Sequence, residues 1–580
     1  MAARRGVWLV VGLILIAIMV SAAGLIFTAI LVGREATVAG NSTLVLKVSG
    51  DLQELDAGGV FGQFFDGSPT VRSIVDALRK AKVDKRITSV VIRPTGTAAL
   101  WGKVQEVRDA VADFKRSGKP VIAFMEYGGE QEFYLASACD KVFLLPTASL
   151  DLTGIASYEL FLRGTLDKIG AYPDALHVGQ FKTAANTFTE KTFTPSHREM
   201  AQSLNSDLYE QLVQGLASGR HKNPAEVKTL IDHGPFLPED AIRAGLIDDV
   251  AYEDELDDKV QLGKGSTHFL TDADYRKVSA ASLGLNRGPR IALVYAVGVI
   301  TSGASSYDGA SGPSIGSDTL VEILRKVRAD NSIKAIVLRV DSPGGSALAS
   351  DVIWREVMLT REAKPVIASM SDVAASGGYY ISMPAHAIVA QPATLTGSIG
   401  VVLVKFAIGG TLQKLGMNME RVTSGRYADL YAPDKIFTPD ERARILEQMQ
   451  ATYDAFVEKA AAGRNTTPER IDSIAQGRVW TGAQGKQIGL VDELGGLDRA
   501  IEIAKQRARI DPKSEVELVV YPQRKSFFEL VESPFGASAA GLLGTLLGTH
   551  EAQAVQKIAA PLRLFRRGEP LAIMPNIFVR

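Results

Sequence analysis

Polar and apolar positions divide the chain into an uncharged opening stretch and two halves with the same rhythm. Gly6 through Gly33 carries no charged residue, and at ~1.5 Å per residue a helix of that length exceeds the ~30 Å hydrocarbon core of a bilayer. The pattern predicts a membrane-spanning helix. Short β-rich runs, Thr43-Leu-Val-Leu-Lys-Val48 and Arg290-Ile-Ala-Leu-Val-Tyr295, then open each half after a polar or Gly/Pro-containing linker such as Gly284-Leu-Asn-Arg-Gly-Pro289. Strand-like Ser89-Val-Val-Ile92 and Ala335-Ile-Val-Leu338 alternate with helical patterns such as Ser350-Asp-Val-Ile-Trp-Arg-Glu-Val-Met358. That alternation predicts α/β units with largely parallel strands. Longer helices are expected over 196–218 and 439–462, the second begun by the helix-start sequence Thr438-Pro-Asp-Glu441.

The halves are copies of one another, offset by 245 or 246 residues. Asp76-Ala-Leu-Arg-Lys and Arg86-Ile-Thr-Ser-Val-Val-Ile-Arg93 read against Ile323-Leu-Arg-Lys and Ser332-Ile-Lys-Ala-Ile-Val-Leu-Arg339; Lys119-Pro-Val-Ile122 matches Lys364-Pro-Val-Ile367. Each half closes similarly, at Ala244-Gly-Leu-Ile-Asp248 and Ile488-Gly-Leu-Val-Asp492. The expected organisation is a cytoplasmic tail and anchor over 1–34, an N-terminal repeat over 40–275, a C-terminal repeat over 288–510 and an extension over 511–580. No counterpart to the extension is visible in the first half. Its runs Phe527-Phe-Glu-Leu-Val and Ala539-Ala-Gly-Leu-Leu-Gly-Thr-Leu-Leu547 are too short to span a bilayer; a covering helix, an oligomer contact and a membrane-surface contact all fit them.

A net charge of -1, from 64 basic and 65 acidic residues, gives no basic field for nucleic acid. The one cysteine, Cys139, has no internal disulfide partner and sits in an apolar run, as a packed thiol does. Arg4-Arg5 followed by a long apolar run also resembles a cleaved signal peptide, with Ser21-Ala-Ala23 as a small-residue site. The run continues to Val32, well beyond the ~7 to 15 residues of a signal-peptide core, which favours an uncleaved anchor. The positive-inside rule then sets the N-terminus in the cytoplasm and everything after Arg34 outside it.

The copies differ where chemistry would sit. Ser376, in Ala374-Ala-Ser-Gly-Gly378, faces Glu130 of the first half, whereas Lys182, in Gly179-Gln-Phe-Lys182, faces Ala428 of the second. A nucleophile at a strand-to-helix turn needs small neighbours, so that a carbonyl can approach and a following N–H can meet the oxyanion. The paired glycines of Asp341-Ser-Pro-Gly-Gly-Ser346 also follow a strand, and the matching Thr95-Gly-Thr-Ala-Ala-Leu100 has lost them. Seven histidines are present, none in a recognisable triad, and there is no Gly-x-Ser-x-Gly elbow. A lysine can replace histidine as base where burial lowers its pKa from ~10.4 toward neutrality. Lys182 is the lysine to consider.

Together, Asp341-Ser-Pro-Gly-Gly-Ser, Ala374-Ala-Ser-Gly-Gly-Tyr-Tyr380, Thr394-Leu-Thr-Gly-Ser-Ile-Gly400 and Val479-Trp-Thr-Gly482 resemble, in order and spacing, the signal peptide peptidase A (protease IV) family in its long, two-domain form. The resemblance covers nearly the whole chain. It implies a membrane-anchored bacterial serine protease whose nucleophile falls on Ser376. The base would come from the N-terminal repeat, falling on Lys182 in Gly179-Gln-Phe-Lys-Thr-Ala184. It implies a crotonase- or Clp-protease-like α/β fold in each repeat, a homotetramer with an apolar groove, and cleavage of signal peptides left in the membrane. No metal or other cofactor is expected. Within this frame Gly377 and one of Gly344 or Gly345 are expected to supply oxyanion N–H groups, and Ser398 to orient the lysine. Two segments depart from the family pattern, Tyr127-Gly-Gly-Glu-Gln-Glu132 and the region after Pro512. Crotonase folds also bind acyl-CoA, so a hydratase or isomerase is one alternative and a non-catalytic membrane scaffold another. An extracytoplasmic location disfavours the first, and retention of Ser376 and Lys182 in opposite halves disfavours the second.

Overall fold

The computed structural model describes residues 38–55, 69–260, 268–308, 312–523, 570–575 and 578–579, with Met19 before them. The expected spanning helix over 6–33, apart from Met19, lies outside the described residues, as do the apolar runs 527–531 and 539–547. Among the described residues no helix is long and apolar enough to cross a membrane.

The apolar runs of each half build a sheet with the same strand order. In the first half the order is Asp249–Val250, Lys141–Leu144, Val121–Met125, Ile87–Thr97, Ser42–Gly50, His268–Thr271, with every neighbouring pair parallel. In the second half Glu493–Leu494, Ala387–Ala390, Val366–Ala375, Ile333–Ser342, Arg290–Val297 and Glu517–Tyr521 follow the same order, again all parallel. Glu517–Tyr521 is therefore the counterpart of His268–Thr271, so the repeat runs one strand further than sequence identity shows. Four- and five-residue edge strands satisfy a sheet with almost any β-forming sequence, and little identity survives in them.

Helices cover the sheets, as parallel strands require. Val71–Val83 and Ser317–Ala329 correspond, as do Trp101–Lys115 and Ala347–Ala363. Thr70 caps the first of these by accepting from Ser73 N at 3.0 Å. The two long helices are Pro195–Gly219 and Pro439–Gly463; Thr438 and Glu441 form a reciprocal capping box on the latter. Val366–Ala375, the strand leading to Ser376, is buried at every position. Its apolar positions are interrupted by Ser369, Ser371 and Asp372, polar residues that are buried as well.

A third sheet takes strands from both halves. Tyr172–Val178 pairs antiparallel with Val401–Ala407 along seven residues, and Leu571–Ile573 lies between that pair and Gly344–Ser346. The halves are further joined by a buried charge cluster. Arg339, 1% exposed, donates to Glu54 at 3.0 and 2.6 Å, to Glu106 at 2.7 Å and to Ser369 at 3.0 Å. Burial pushes the Glu54 carboxyl up, but Arg339, together with Lys103 and the Ser371 hydroxyl, outweighs burial and holds it below the usual carboxylate range. Removing Arg339 leaves two buried carboxylates without their shared counterion, so Arg339→Ala is expected to cost roughly 3–5 kcal/mol. The check is a urea unfolding series, in which an unshifted midpoint would show the cluster to be energetically neutral.

Candidate active site

Ser376 ends the strand Val366–Ala375 and stands just before the short helix Gly377–Ser382. Its backbone is held at φ 55, ψ -113, a conformation that costs a non-glycine residue on the order of 1–3 kcal/mol. Ser376 N donates to Gly397 O at 2.7 Å, and Tyr380 N donates to Ser376 O at 2.8 Å, so both sides of the turn are pinned. Strain of this kind aims a serine hydroxyl away from the sheet, as a nucleophile turn requires.

Lys182 arrives from the other half, in the loop after Tyr172–Val178. Its Nζ lies 2.7 Å from Ser376 Oγ, 2.8 Å from Ser398 O and 3.0 Å from Ser398 Oγ. Lys182 is 1% exposed, and Ser376 and Ser398 are wholly buried. These three partners of the amine are uncharged oxygens. Burial pushes the Lys182 amine well below its ordinary value, so the neutral form is favoured. A neutral amine offers one lone pair, which can accept the Ser376 hydroxyl proton while its N–H groups donate to Ser398.

The seat of Lys182 is cut from the second half. Phe181 N donates to Gln476 O at 2.7 Å, and a Cβ added to Gly477, whose φ is +79, would stand 2.5 Å from Lys182 N and Cβ. Only glycine admits that approach. Ser398 also has a positive φ, 51, and its N–H donates to Arg478 O at 2.7 Å. Ser376 and Ser398 are thus both held in a backbone region that residues other than glycine rarely adopt.

The three glycines expected at the oxyanion position are brought together but are not equivalent. A Cβ on Gly344 would lie 2.7 Å from Gly377 N, so the two peptide edges face each other. Gly344 N already donates to Ser342 Oγ at 3.2 Å, and Gly345 is paired with Ile300 on one side and Ala572 on the other. Gly377 is the glycine directly following the serine and the best placed of the three. Sequence reasoning did not find Ser342, the Gln476-Gly477 turn, or residues 570–574, which line the same place. Pro570-Leu-Ala-Ile-Met-Pro575 is an apolar run bracketed by prolines, the one signal that marks it.

Two apolar clusters flank the Ser376–Lys182 contact. Phe181, Met200, Leu204, Val373, Ala375, Leu395, Val479 and Met574 form one, and Ala184, Ala185, Val402, Val404, Leu571 and Ile573 the other. Among the described residues no histidine hydrogen-bonds to Ser376, and no group of acidic, histidine or cysteine side chains is arranged to hold a metal. His197 Nε2 lies instead 2.7 Å from a Glu159 carboxylate oxygen. Cys139 is buried, and burial raises its thiol to about 12, which makes it unreactive at neutral pH.

The model of peptidase family S49 matches residues 113–266 and 359–511, one stretch in each half and together more than half of the chain. The chloroplastic serine protease SPPA of Arabidopsis thaliana is 38% identical over 491 residues, 83% of this chain and 72% of that protein. Protease 4 of Salmonella typhi is 33% identical over 81% of this chain and 76% of its own length. Protease 4 of Haemophilus influenzae is 31% identical over 82% and 78%. Among solved structures, a membrane-bound stomatin-specific protease aligns with 40% of this chain and 97% of its own at 15% identity and a TM-score of 0.26. A family model matched in both halves, and relatives matched along four-fifths of the sequence, make this chain a serine protease of peptidase family S49, similar to protease 4.

Proposed function

We propose that the protein hydrolyses apolar, extended peptides, signal peptides left after preprotein processing among them, with Ser376 as nucleophile and Lys182 as general base. The observation that carries this reading is the 2.7 Å contact between a fully buried serine hydroxyl and a buried amine whose other partners are uncharged. Ser376 Oγ attacks the substrate carbonyl carbon while its proton passes to the Lys182 lone pair. Gly377 N–H, assisted by the Gly344–Gly345 edge, meets the oxygen that becomes negative. The Lys182 ammonium then protonates the leaving amine, and water, activated by the same amine, releases the acyl group from Ser376. Ser398 accepts from Nζ and holds it in line. The repeat over 40–275 thereby supplies the base and the repeat over 288–510 the nucleophile.

The apolar residues that flank the dyad, Phe181, Val373 and Leu395 on one side and Ala184, Val402 and Val404 on the other, suit a substrate whose side chains are themselves apolar. Residues 6–33 would anchor the enzyme in the bacterial cytoplasmic membrane with the catalytic part outside the cytoplasm, where such peptides remain. Leu415, Met417, Met419 and Val422 stand exposed together, the kind of surface that a homotetramer would cover. The test is hydrolysis by the purified full chain in detergent. A labelled signal peptide is expected to be cut at peptide bonds in its apolar part, while a charged peptide of equal length is left intact. Turnover of the charged peptide alone would remove the substrate assignment.

A further inference from the structure

The strand Leu571–Ile573 lies in the place where an extended substrate would have to lie. It pairs antiparallel with the glycine edge beside Ser376, Gly344 against Ile573, Gly345 against Ala572 and Ser346 against Leu571. On its other side Leu571 pairs with Val402. Ala347 N donates to Pro570 O at 3.2 Å, and Met574 N donates to Pro343 O at 2.8 Å, so the segment is fastened at both ends. The Ala572 carbonyl oxygen is pressed against the expected oxyanion glycines: a Cβ on Gly344 would lie 2.0 Å from it, and a Cβ on Gly377 would lie 3.2 Å from it. Leu571 and Ile573 fill the cluster beside Ala184 and Ala185, two and three residues after Lys182, and Met574 fills the cluster around Phe181. Leu571, Ala572, Ile573 and Met574 are all buried.

We propose that residues 570–574 are a built-in strand ligand of the peptide cleft, which substrate must displace to reach Ser376. The inference rests on the peptidase reading above and deepens it. Edges such as Gly344–Ser346 and Val401–Ala407 recognise any extended peptide through main-chain hydrogen bonds, and the pockets between them select side chains. The resident sequence therefore reports what those pockets accept: branched apolar residues at alternate positions with a small residue between, next to the nucleophile. Because the ligand belongs to the same chain, its local concentration is fixed, and it competes at every substrate concentration. A tethered competitor raises the apparent KM without altering kcat. A strand that merely braced the glycine edge would behave oppositely, since its loss would disorder the oxyanion position and lower kcat.

The experiment combines Leu571→Asp and Ile573→Asp in the full chain, placing charge in an apolar pocket. With an apolar peptide substrate, KM is expected to fall at least tenfold, with kcat within twofold of the unaltered enzyme. In a Ser376→Ala background, where no turnover is needed, a fluorescent Pro-Leu-Ala-Ile-Met-Pro peptide is expected to bind at least tenfold more tightly once the two aspartates are present. A drop in kcat without a drop in KM, or unchanged peptide affinity, overturns the proposal. If neither enzyme hydrolyses any peptide but the affinity still rises, the peptidase reading fails while occupation of the cleft stands. Should the double variant fold poorly, the unaltered chain decides: saturating peptide is expected to speed amide exchange across 571–574 at least tenfold, and no acceleration overturns the proposal.

Discussion

Ser376→Ala is expected to lower peptide turnover on the order of 10⁴-fold or more, with substrate affinity and the unfolding midpoint little changed. Removing a nucleophile that works as one unit with its base abolishes nearly the whole covalent pathway and leaves the residual assistance of oxyanion donors and binding. The size of the effect follows from geometry. Ser376 Oγ is the hydroxyl within 2.7 Å of Lys182 Nζ, and Ser398, the other serine on that amine, has the backbone carbonyl as well as the hydroxyl turned toward it. Stability should hardly move, because alanine takes the same strained φ of 55 and fills the site with one atom fewer. The measurement is kcat on an apolar labelled peptide, with a fluorophosphonate reagent as a second reading. Unaltered enzyme should carry the label on Ser376 and the variant should carry none. Retention of more than about a tenth of the turnover, or labelling of another serine in the variant, would give the nucleophile's role to a different residue.

The repeat makes much of this site legible in the sequence alone. The α/β alternation of each half follows from apolar runs that recur at the same spacing, and the place of Ser376 from the strand-like Val366-Ile-Ala-Ser-Met370 before it. What the repeat concealed was how the first half spends the positions it has released. Glu130, in the place of Ser376, accepts from Thr153 N at 2.9 Å and Thr153 Oγ1 at 3.0 Å, a loop tie at the surface. The first-half loop that lost its paired glycines leads into the helix Trp101–Lys115, and there Leu100 N and Lys103 N donate to Asp372 at 3.0 and 2.7 Å. Backbone N–H groups at the start of that first-half helix thus hold a carboxylate of the other half, four residues before Ser376. Arg93 and Arg339 are identical in sequence and opposite in setting. Arg93 pairs with Glu126 and Glu253, both well exposed, whereas Arg339 is buried against Glu54 and Glu106. No local pattern distinguishes these cases, because burial of the second arginine depends on residues more than two hundred positions away. The same holds for 570–574. A strand of three residues that completes a sheet formed by other segments has too little length for a period of its own.

Lys182→Met is expected to reduce kcat/KM by about 10³-fold or more, the range of a general base that must both take and return a proton. In the unaltered enzyme only the neutral amine can accept the Ser376 proton, so kcat/KM should rise with pH through the lysine's titration. Burial lowers that titration well below the ordinary lysine range, so the rising limb should be complete well short of pH 10. A buried lysine with a purely structural role would give no such limb in the rate. Stability moves the other way. Between the lowered folded value and the ordinary unfolded one near ~10.4, the unfolded chain binds a proton that the folded chain does not, so unfolding becomes harder as pH rises. The unaltered protein is therefore penalised as pH falls from that unfolded value toward the folded one, and below the folded value the penalty is constant. Methionine, of similar length and without charge, escapes it. The urea midpoint of Lys182→Met should exceed that of the unaltered chain at pH 6 to 7, and the gap should close toward pH 10. A variant that is inactive yet more stable, with the gap shrinking as pH rises, assigns the lysine a cost that only its chemistry explains; an equally inactive variant that is less stable at neutral pH would mean that Lys182 is a structural support and that Ser376 draws on another base.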